Sequence, residues 1–204
     1  MGRPRDWMGL ENLCYLTLDA PEVFGQMVDT LAELSCWAID QVIPRMNKKP
    51  DLGFSWEDIC SKSGPLVSPD IFKQYVAPGY QKIRNKLQDH GVNFLAVDSD
   101  GDITALAQHW FDAGVNVIFP IEIGTWNGDA REYRKRFGKD YRIVGNFDKF
   151  VLEKGPTEID AEIDRLMPLI QEGGFIMLPD HYITPGTSLD NYKYYLDKIR
   201  LIRI

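Results

Sequence analysis

The chain has 204 residues, of which 44% are hydrophobic and 26% charged, and its formal net charge is -7. This length and composition are typical of one globular domain with a substantial core. The acidic balance, with no stripe of Lys and Arg, argues against a nucleic-acid partner, and no apolar run reaches the length of a membrane span.

The cysteines and the start of the chain bear on the compartment. Cys14, Cys36 and Cys60 lie far apart and form no CxxC pair. This spacing is typical of reduced thiols and not of a disulfide framework or a zinc knuckle. The first residues lead into no signal-peptide core. We therefore expect a cytoplasmic protein.

The first half of the chain is predicted to begin with helix and then to alternate strands and helices. Helical spacing and caps indicate an N-terminal helical segment over residues 8–46. Ser68 and Pro69 form a helix start, Pro78 predicts a kink, and Gly91 ends that helix. The predicted elements are a helix over Pro21–Ile43 with Val23, Met27, Leu31, Leu34 and Ala38 on its inner face, a strand over residues 53–56, the helix from Ser68 to Gly91, a strand over Val92–Val97 and a helix over Ile103–Ala113.

The second half continues the alternation. Its predicted elements are strand Val115–Ile121, helix Asp129–Phe137, strand Tyr141–Val144, a helix from Pro156 stopped by Gly173 and Gly174, strand Phe175–Leu178 and a last helix capped by Ser188. Five strands, each followed by a helix, predict an α/β fold with a parallel sheet. Continuous apolar strands agree with a sheet covered on both faces. The periodicity leaves two architectures open, an open sheet or part of an eight-unit barrel.

Polar residues collect where the predicted strands end. In a parallel α/β fold the carboxyl ends of the strands converge on one face, where ligands bind. We therefore expect one site to be built from these ends. Its residues are Trp56, Glu57 and Asp58 after the first strand, Asp98 and Asp100 after the second, Glu122 after the third, Asn146, Asp148 and Lys149 after the fourth, and Asp180, His181 and Tyr182 after the fifth.

Structural interpretations compete with functional ones at several of these positions. Asp102 is predicted to cap the helix from Ile103. Asp98 and Asp100 are not needed as caps, and carboxylates this close stay ionised together only when a cation, a helix N-terminus or water compensates them. His181 is the only histidine at a strand end. Aromatic residues such as Trp56 and Tyr182 serve packing more often than recognition.

Several segments, taken in order, resemble the uroporphyrinogen decarboxylase superfamily. They are Gly64-Pro65-Leu66-Val67-Ser68-Pro69, Gly145-Asn146-Phe147-Asp148, Gly173-Gly174-Phe175, Asp180-His181-Tyr182-Ile183-Thr184-Pro185 and Asn191-Tyr192. The resemblance runs from about Met8 to the end and covers the C-terminal part of the usual family length. It implies a (β/α)8 TIM barrel of which this chain, as one domain over residues 1–204, holds about the last five βα units. Such a partial barrel carries its pocket at the strand ends.

The family has two branches, and this sequence departs from both. One branch decarboxylates uroporphyrinogen without a cofactor. The other moves methyl groups between a corrinoid and a thiol, using zinc. The Arg-rich segment of the decarboxylases has no counterpart here. The His-x-Cys ligand pair of the methyltransferases is replaced by Asp98-x-Asp100, and the later Cys ligand falls on or beside His181.

The first functional hypothesis is metal-assisted methyl transfer linked to a corrinoid protein. The resemblance implies that Asp98, Asp100 and His181 hold a divalent ion, with zinc the expected metal and manganese or iron as alternatives. Glu122 is predicted as a base or as a neighbour that supports a metal ligand. Lys149 is predicted to complete the catalytic set with His181 and Glu122. The remaining strand-end residues are predicted to bind a small-molecule substrate: Trp56, Glu57, Asp58, Asn146, Asp148, Asp180 and Tyr182.

Two other hypotheses stay open. In cofactor-free decarboxylation, His181 and Lys149 would counter the substrate carboxylates and protonate the product carbon. In the non-catalytic alternative, the chain is a fragment or one half of a split barrel. Such a half exposes two sheet edges and is expected to form a homo-oligomer, to associate with a missing half or to aggregate.

Overall fold

The computed structural model describes residues 2–203. Its strands are β1 (Gly53–Trp56), β2 (Cys60–Ser61), β3 (Gly64–Pro65), β4 (Leu95–Asp98), β5 (Val117–Ile121), β6 (Arg142–Phe147) and β7 (Phe175–Pro179). Within these residues, five strands form a parallel sheet in the order β1-β4-β5-β6-β7, and β2 and β3 form a separate antiparallel pair. The predicted α/β class with a parallel sheet is confirmed.

The helices are α1 (Gly2–Met8), α2 (Leu10–Asp19), α3 (Pro21–Val42), α4 (Pro69–Ile71), α5 (Ala77–Asp89), α6 (Ala107–Asp112), α7 (Ile123–Trp126), α8 (Ala130–Phe137), α9 (Pro156–Glu172) and α10 (Leu189–Leu201). Among the described residues, no helix combines the length and apolar composition needed to cross a bilayer. The chain divides into two compact units, one ending at Val117 and the other beginning at Ile118.

In the first unit, α3 buries a different face from the predicted one. Phe24, Val28 and Ala32 are buried, whereas the predicted inner residues Val23 and Leu34 are 48% and 56% exposed. The reason is that α3 carries two apolar stripes at helical spacing, and close contact with the neighbouring helix selects between them. A Cβ added at Gly79 of α5 would lie 3.1 Å from the Cβ of Ala32, so small residues allow the two backbones to approach.

The predicted kink near Pro78 appears as a change of helix type. Ser68 caps α4 by accepting a hydrogen bond from the Asp70 amide, as predicted. Residues Phe72–Val76 then form a π-helical turn that leads into α5. Proline lacks an amide hydrogen, and such turns accommodate the missing hydrogen bond. The helix ends at Asp89, and Gly91 adopts a φ of 71°.

The predicted helix over Ile103–Ala113 is shorter in the structure. Hydrogen-bonded turns cover the residues just after Ile103, and the α-helical segment is Ala107–Asp112. Asp102 does not cap an α-helix as predicted, because α6 begins only at Ala107 and has Leu106 at its N-cap position. Its carboxylate instead accepts a hydrogen bond from the Thr104 amide at 2.9 Å, within the turns that precede α6. Ile103, Leu106 and Trp110 are fully buried, so burial of this face holds the segment together.

In the second unit, β6 and β7 pair in parallel from Ile143↔Phe175 to Phe147↔Pro179. The predicted strand Tyr141–Val144 is therefore too short at its end, because β6 continues through Gly145 and Asn146 despite their positive φ values of 109° and 62°. The sequence prediction ended the strand just before these two residues. Pairing with β7 extends the strand through them.

The side chain of Asn146 is completely buried and forms four hydrogen bonds within this unit. Its amide group donates to the carbonyl oxygens of Ile121, at 3.1 Å, and Gly128, at 2.8 Å. Its oxygen accepts from the amide of Ala130 and from the guanidinium of Arg165, both at 3.2 Å. Both donor positions and both acceptor positions of the amide are therefore in use.

Replacing Asn146 by Ala should lower the free energy of unfolding more than replacing Asn127 by Ala. Asn127 is exposed and has a similar φ of 61°, so it controls for the backbone strain of Ala at positive φ. Each buried group that loses its partner costs roughly 1–3 kcal/mol, so we expect a difference on the order of 3 kcal/mol. Urea unfolding measures it, and equal losses in the two variants would contradict this role of Asn146.

Candidate active site

The acidic segment after β4 is fixed through its backbone. The carbonyl oxygen of Asp98 accepts hydrogen bonds from the amides of Glu57 and Asp58 at 2.9 and 3.2 Å. Ser99 is completely buried, and its hydroxyl accepts from the amide of Ile59 and donates to the carbonyl of Asp100. Asp98 and Asp100, on either side of it, are partly exposed. Asp98 and Asp100, two of the three predicted metal ligands, therefore lie on an ordered loop at a strand end.

Gly101 allows this loop to pass close to the backbone of Ser61. Its φ is 83°, and a Cβ added there would lie 2.6 Å from the carbonyl oxygen of Ser61. Both the conformation and the close approach require glycine.

The two acidic residues after β1 take part in structural contacts of the first unit. Glu57 is buried, accepts a hydrogen bond from the Gly2 amide at 3.1 Å and is bonded to the Tyr80 hydroxyl. Asp58 lies 3.1 Å from the guanidinium of Arg5. Their predicted role in substrate binding stays a prediction. Trp56, from the same strand end, is 75% exposed.

Cys60 does not offer a thiolate in the first unit. Burial raises the pKa of its thiol to about 12, so the neutral thiol dominates at physiological pH. Cys60 therefore adds no thiolate to the carboxylate oxygens that Asp98 and Asp100 offer.

In the second unit, Glu122 is held at the end of β5. It is 2% exposed, and one of its carboxylate oxygens accepts a hydrogen bond from the Thr125 hydroxyl at 2.7 Å. Its carbonyl oxygen accepts from the Gly128 amide at 2.9 Å. The short helix α7, which sequence analysis did not predict, follows directly and creates both contacts.

Glu122 and His181 come from distant parts of the sequence and are brought together in this unit. A carboxylate oxygen of Glu122 and a ring nitrogen of His181 lie within 4.8 Å of each other. His181 also packs edge-on against Tyr182, with ring centroids 5.1 Å apart and an interplanar angle of 82°. Tyr182 itself is 80% exposed. The pair combines a hard oxygen donor with an imidazole, a set that suits zinc, manganese or iron.

Asp180 and Lys149 belong to the same strand ends of the second unit, and Asp180 directly precedes His181. Asp180 is completely buried, and its carboxylate accepts hydrogen bonds from the backbone amides of Gly124, at 2.8 Å, and Lys149, at 3.1 Å. The ammonium group of Lys149, itself buried, lies 3.8 Å from the same carboxylate. Lys149 was predicted as a catalytic residue, and that role stays a prediction.

Asp148 caps the turn after β6, where its carboxylate accepts from the Phe150 amide at 2.9 Å. Partial burial raises the pKa of this carboxyl, and the negative charges of Asp180 and Glu162 raise it further. Burial is thus the main reason that the charged form of Asp148 is disfavoured.

Sequence analysis missed the residues that support this end of β6. Glu162 and Arg165 of α9 form an ion pair with an N···O distance of 2.7 Å. Glu162 also accepts from the Asp148 amide, and Arg165 donates to the backbone carbonyl of Asn146. A Glu and an Arg three positions apart on a helix resemble an ordinary surface pair, and only the low exposure of Glu162 distinguishes this one.

Comparison with known proteins shows which family the sequence of this chain matches. The family model described as uroporphyrinogen decarboxylase (URO-D) matches residues 6–201. A uroporphyrinogen decarboxylase of Picosynechococcus sp. is 22% identical over 182 residues, which are 88% of this chain and 47% of that protein. One from Cellvibrio japonicus is 25% identical over 186 residues, 90% of this chain and 49% of that protein. The chain spans about half the length of the curated relatives it matches.

A solved structure shares the fold. It is a methyltransferase from Methanosarcina mazei, with a TM-score of 0.71 and 22% sequence identity. The similarity covers 96% of this chain and 55% of that one. The likeness supports the predicted partial barrel.

The raised pKa of Asp148 leads to a test by pH. The native state holds the Asp148 proton to a higher pH than the unfolded chain does, so this group's contribution to stability is lost as the pH rises through its folded-state pKa. Asp148→Asn keeps a capping oxygen and removes the charge. Its melting temperature should exceed that of the unsubstituted protein at pH 7, by a margin that shrinks as the pH falls towards 3.8.

Asp129 provides the matched control. It caps α8 in the same way, but its hydrogen bonds with Arg131 lower the pKa of its carboxyl. Asp129→Asn should therefore destabilise the protein at pH 7, and the loss should shrink in acid. Thermal unfolding across this pH range compares the two variants. The same sign of change in both would contradict the assignment for Asp148.

Proposed function

Because this chain belongs to the uroporphyrinogen decarboxylase family, we propose that it takes part in a metal-assisted methyl transfer linked to a corrinoid protein. The observation that carries the proposal is the pairing of the Glu122 carboxylate with the His181 imidazole within 4.8 Å. Two donors on one zinc ion lie about 3–4 Å apart, given ligand distances of about 2.0–2.2 Å. The two donors lie close enough for a small side-chain movement to bring both onto one divalent ion.

The resemblance to the family's ligand positions makes Asp98 and Asp100 proposed oxygen ligands, and this part of the proposal rests on the sequence alone. In the second unit, His181 would supply a nitrogen ligand and Glu122 an oxygen ligand. In the general-base role predicted from sequence, Glu122 would occupy the same position. A bound divalent ion lowers the pKa of a thiol or water, which makes a nucleophile at neutral pH.

The protein's own residues would bind and orient the methyl donor and the acceptor. In methyl transfer the donor keeps the electrons of the broken bond, and the acceptor thiol gives up its proton. The exposed ring of Tyr182, next to His181, would border the acceptor. The predicted donor or acceptor of the methyl group is a corrinoid carried by another protein.

Metal analysis tests the proposed site. The 204-residue chain, loaded with zinc and then desalted, should retain about one ion per molecule, as expected for a site with several protein ligands. His181→Gln and Asp100→Ala should lower zinc affinity tenfold or more, since each change removes a proposed ligand. Mass spectrometry of the metal content and titration against a chromophoric chelator measure both quantities.

His90→Gln is the matched control. His90 follows α5 and is hydrogen-bonded to Asp40 at 2.7 Å. Because His90 is not a proposed ligand, this change should leave zinc affinity unaltered. The proposal fails if the protein retains no zinc, or if His181→Gln and His90→Gln behave alike.

Decarboxylation of uroporphyrinogen is the second candidate, favoured by the names of the curated relatives. His181 and Lys149 would be its positively charged residues. The acidic residues that sequence analysis predicts at the strand ends argue against it, because like charges repel a substrate rich in carboxylates.

We expect incubation with uroporphyrinogen under anaerobic conditions to yield no coproporphyrinogen above a protein-free blank, because the acidic surroundings disfavour substrate binding. Chromatography of the oxidised porphyrins measures the product. Accumulation of coproporphyrinogen that disappears in His181→Gln would establish the decarboxylase alternative instead.

A further inference from the structure

Asp180 is a buried carboxylate that joins the ends of three strands in the second unit. It directly follows β7, and its exposed fraction is 0%. One oxygen accepts from the Gly124 amide after β5, at 2.8 Å, and the other from the Lys149 amide after β6, at 3.1 Å. Both oxygens act as acceptors, which is what an ionised carboxylate offers.

Each connection leads directly to a residue of the proposed site. Gly124 follows Glu122 by two positions, and His181 is the next residue after Asp180. Gly124 lies in the first turn of α7, where amides have no partner within the helix. The bond to Asp180 therefore fixes the start of α7 relative to the end of β7.

Lys149 stabilises the negative charge of Asp180. Its ammonium group lies 3.8 Å from the carboxylate and 5.1 Å from the centre of the Phe150 ring. A buried carboxylate is costly unless it is both hydrogen-bonded and paired with a cation, and this one is both. The side chain of Lys149 is thereby directed towards Asp180.

We propose that Asp180 is a positioning residue that sets the distance between Glu122 and His181, with Lys149 as its counter-ion. This inference rests on the proposed function, because the two residues it positions are proposed metal ligands. It changes the predicted roles of Asp180 and Lys149 from substrate binding and catalysis to support of the ligand pair. Residues that orient metal ligands in this way typically change metal affinity by about 10–100-fold when replaced.

Cobalt(II) binding by the 204-residue chain tests the proposal, because the visible spectrum of Co(II) reports the geometry of its ligands. In Asp180→Asn, the side-chain NH₂ group faces one of the two backbone N–H donors, so one of the two hydrogen bonds is lost. We expect Co(II) affinity to fall about 10–100-fold and the absorption band to change shape. Asp190→Asn, the same substitution at an exposed position of α10, should match the unsubstituted protein.

A second measurement needs no substitution and so does not depend on whether Asp180→Asn folds. If Asp180 connects the two ligands, Co(II) binding should slow hydrogen exchange of the Gly124 and Lys149 amides at least about threefold. The Ile143 amide, bonded to the Gly174 carbonyl at 3.1 Å at the start of β6, serves as the reference and should be unaffected.

The outcomes separate the two proposals. If the unsubstituted protein binds no Co(II), the proposed function fails and this inference fails with it. If Co(II) binds but Asp180→Asn leaves affinity and spectrum unchanged, or Gly124 and Lys149 exchange no more slowly than before, only the positioning role of Asp180 is overturned.

Discussion

The burial of one carboxylate constrains the whole strand-end region of the second unit. Asp180 has no access to solvent, so the protein itself must supply every group that stabilises it. Two backbone amides and one ammonium group do so, and they come from the segments after β5 and β6. Any rearrangement that separates these segments would leave a charge without partners, which makes this arrangement of Glu122, Lys149 and His181 hard to loosen.

Periodicity and caps predicted most elements because they are local properties of the chain. Ser68, Asp129 and Ser188 cap helices through their own side chains, and these bonds lie within the next few residues. The errors have tertiary causes. Packing against α5 selected the buried stripe of α3, and pairing with β7 carried β6 through Asn146.

The candidate site was predictable to the extent that it follows from sheet topology. The rule that parallel strands end on one face is enough to predict Glu122, Asp180 and His181 from the sequence alone. The rule could not show which of these side chains support the others, because contacts such as that between Asp180 and Gly124 join residues 56 positions apart. It also gave no reason to select Glu162 and Arg165, whose partners lie on another element. The chemical roles of the site residues stay predictions.

The network around Asn146 has a consequence for sequence change within the family. Arg165 donates hydrogen bonds to the side-chain oxygen of Asn146 and to Glu162, and Glu162 accepts one from the Asp148 amide. Replacing one of these three residues leaves a donor, an acceptor or a charge on the other two without its partner. A single replacement should therefore lower the free energy of unfolding more than a combined replacement that removes the partner as well. Positions 146, 162 and 165 should therefore covary among relatives, and a homologue that lacks the arginine should also carry a different residue at the asparagine position.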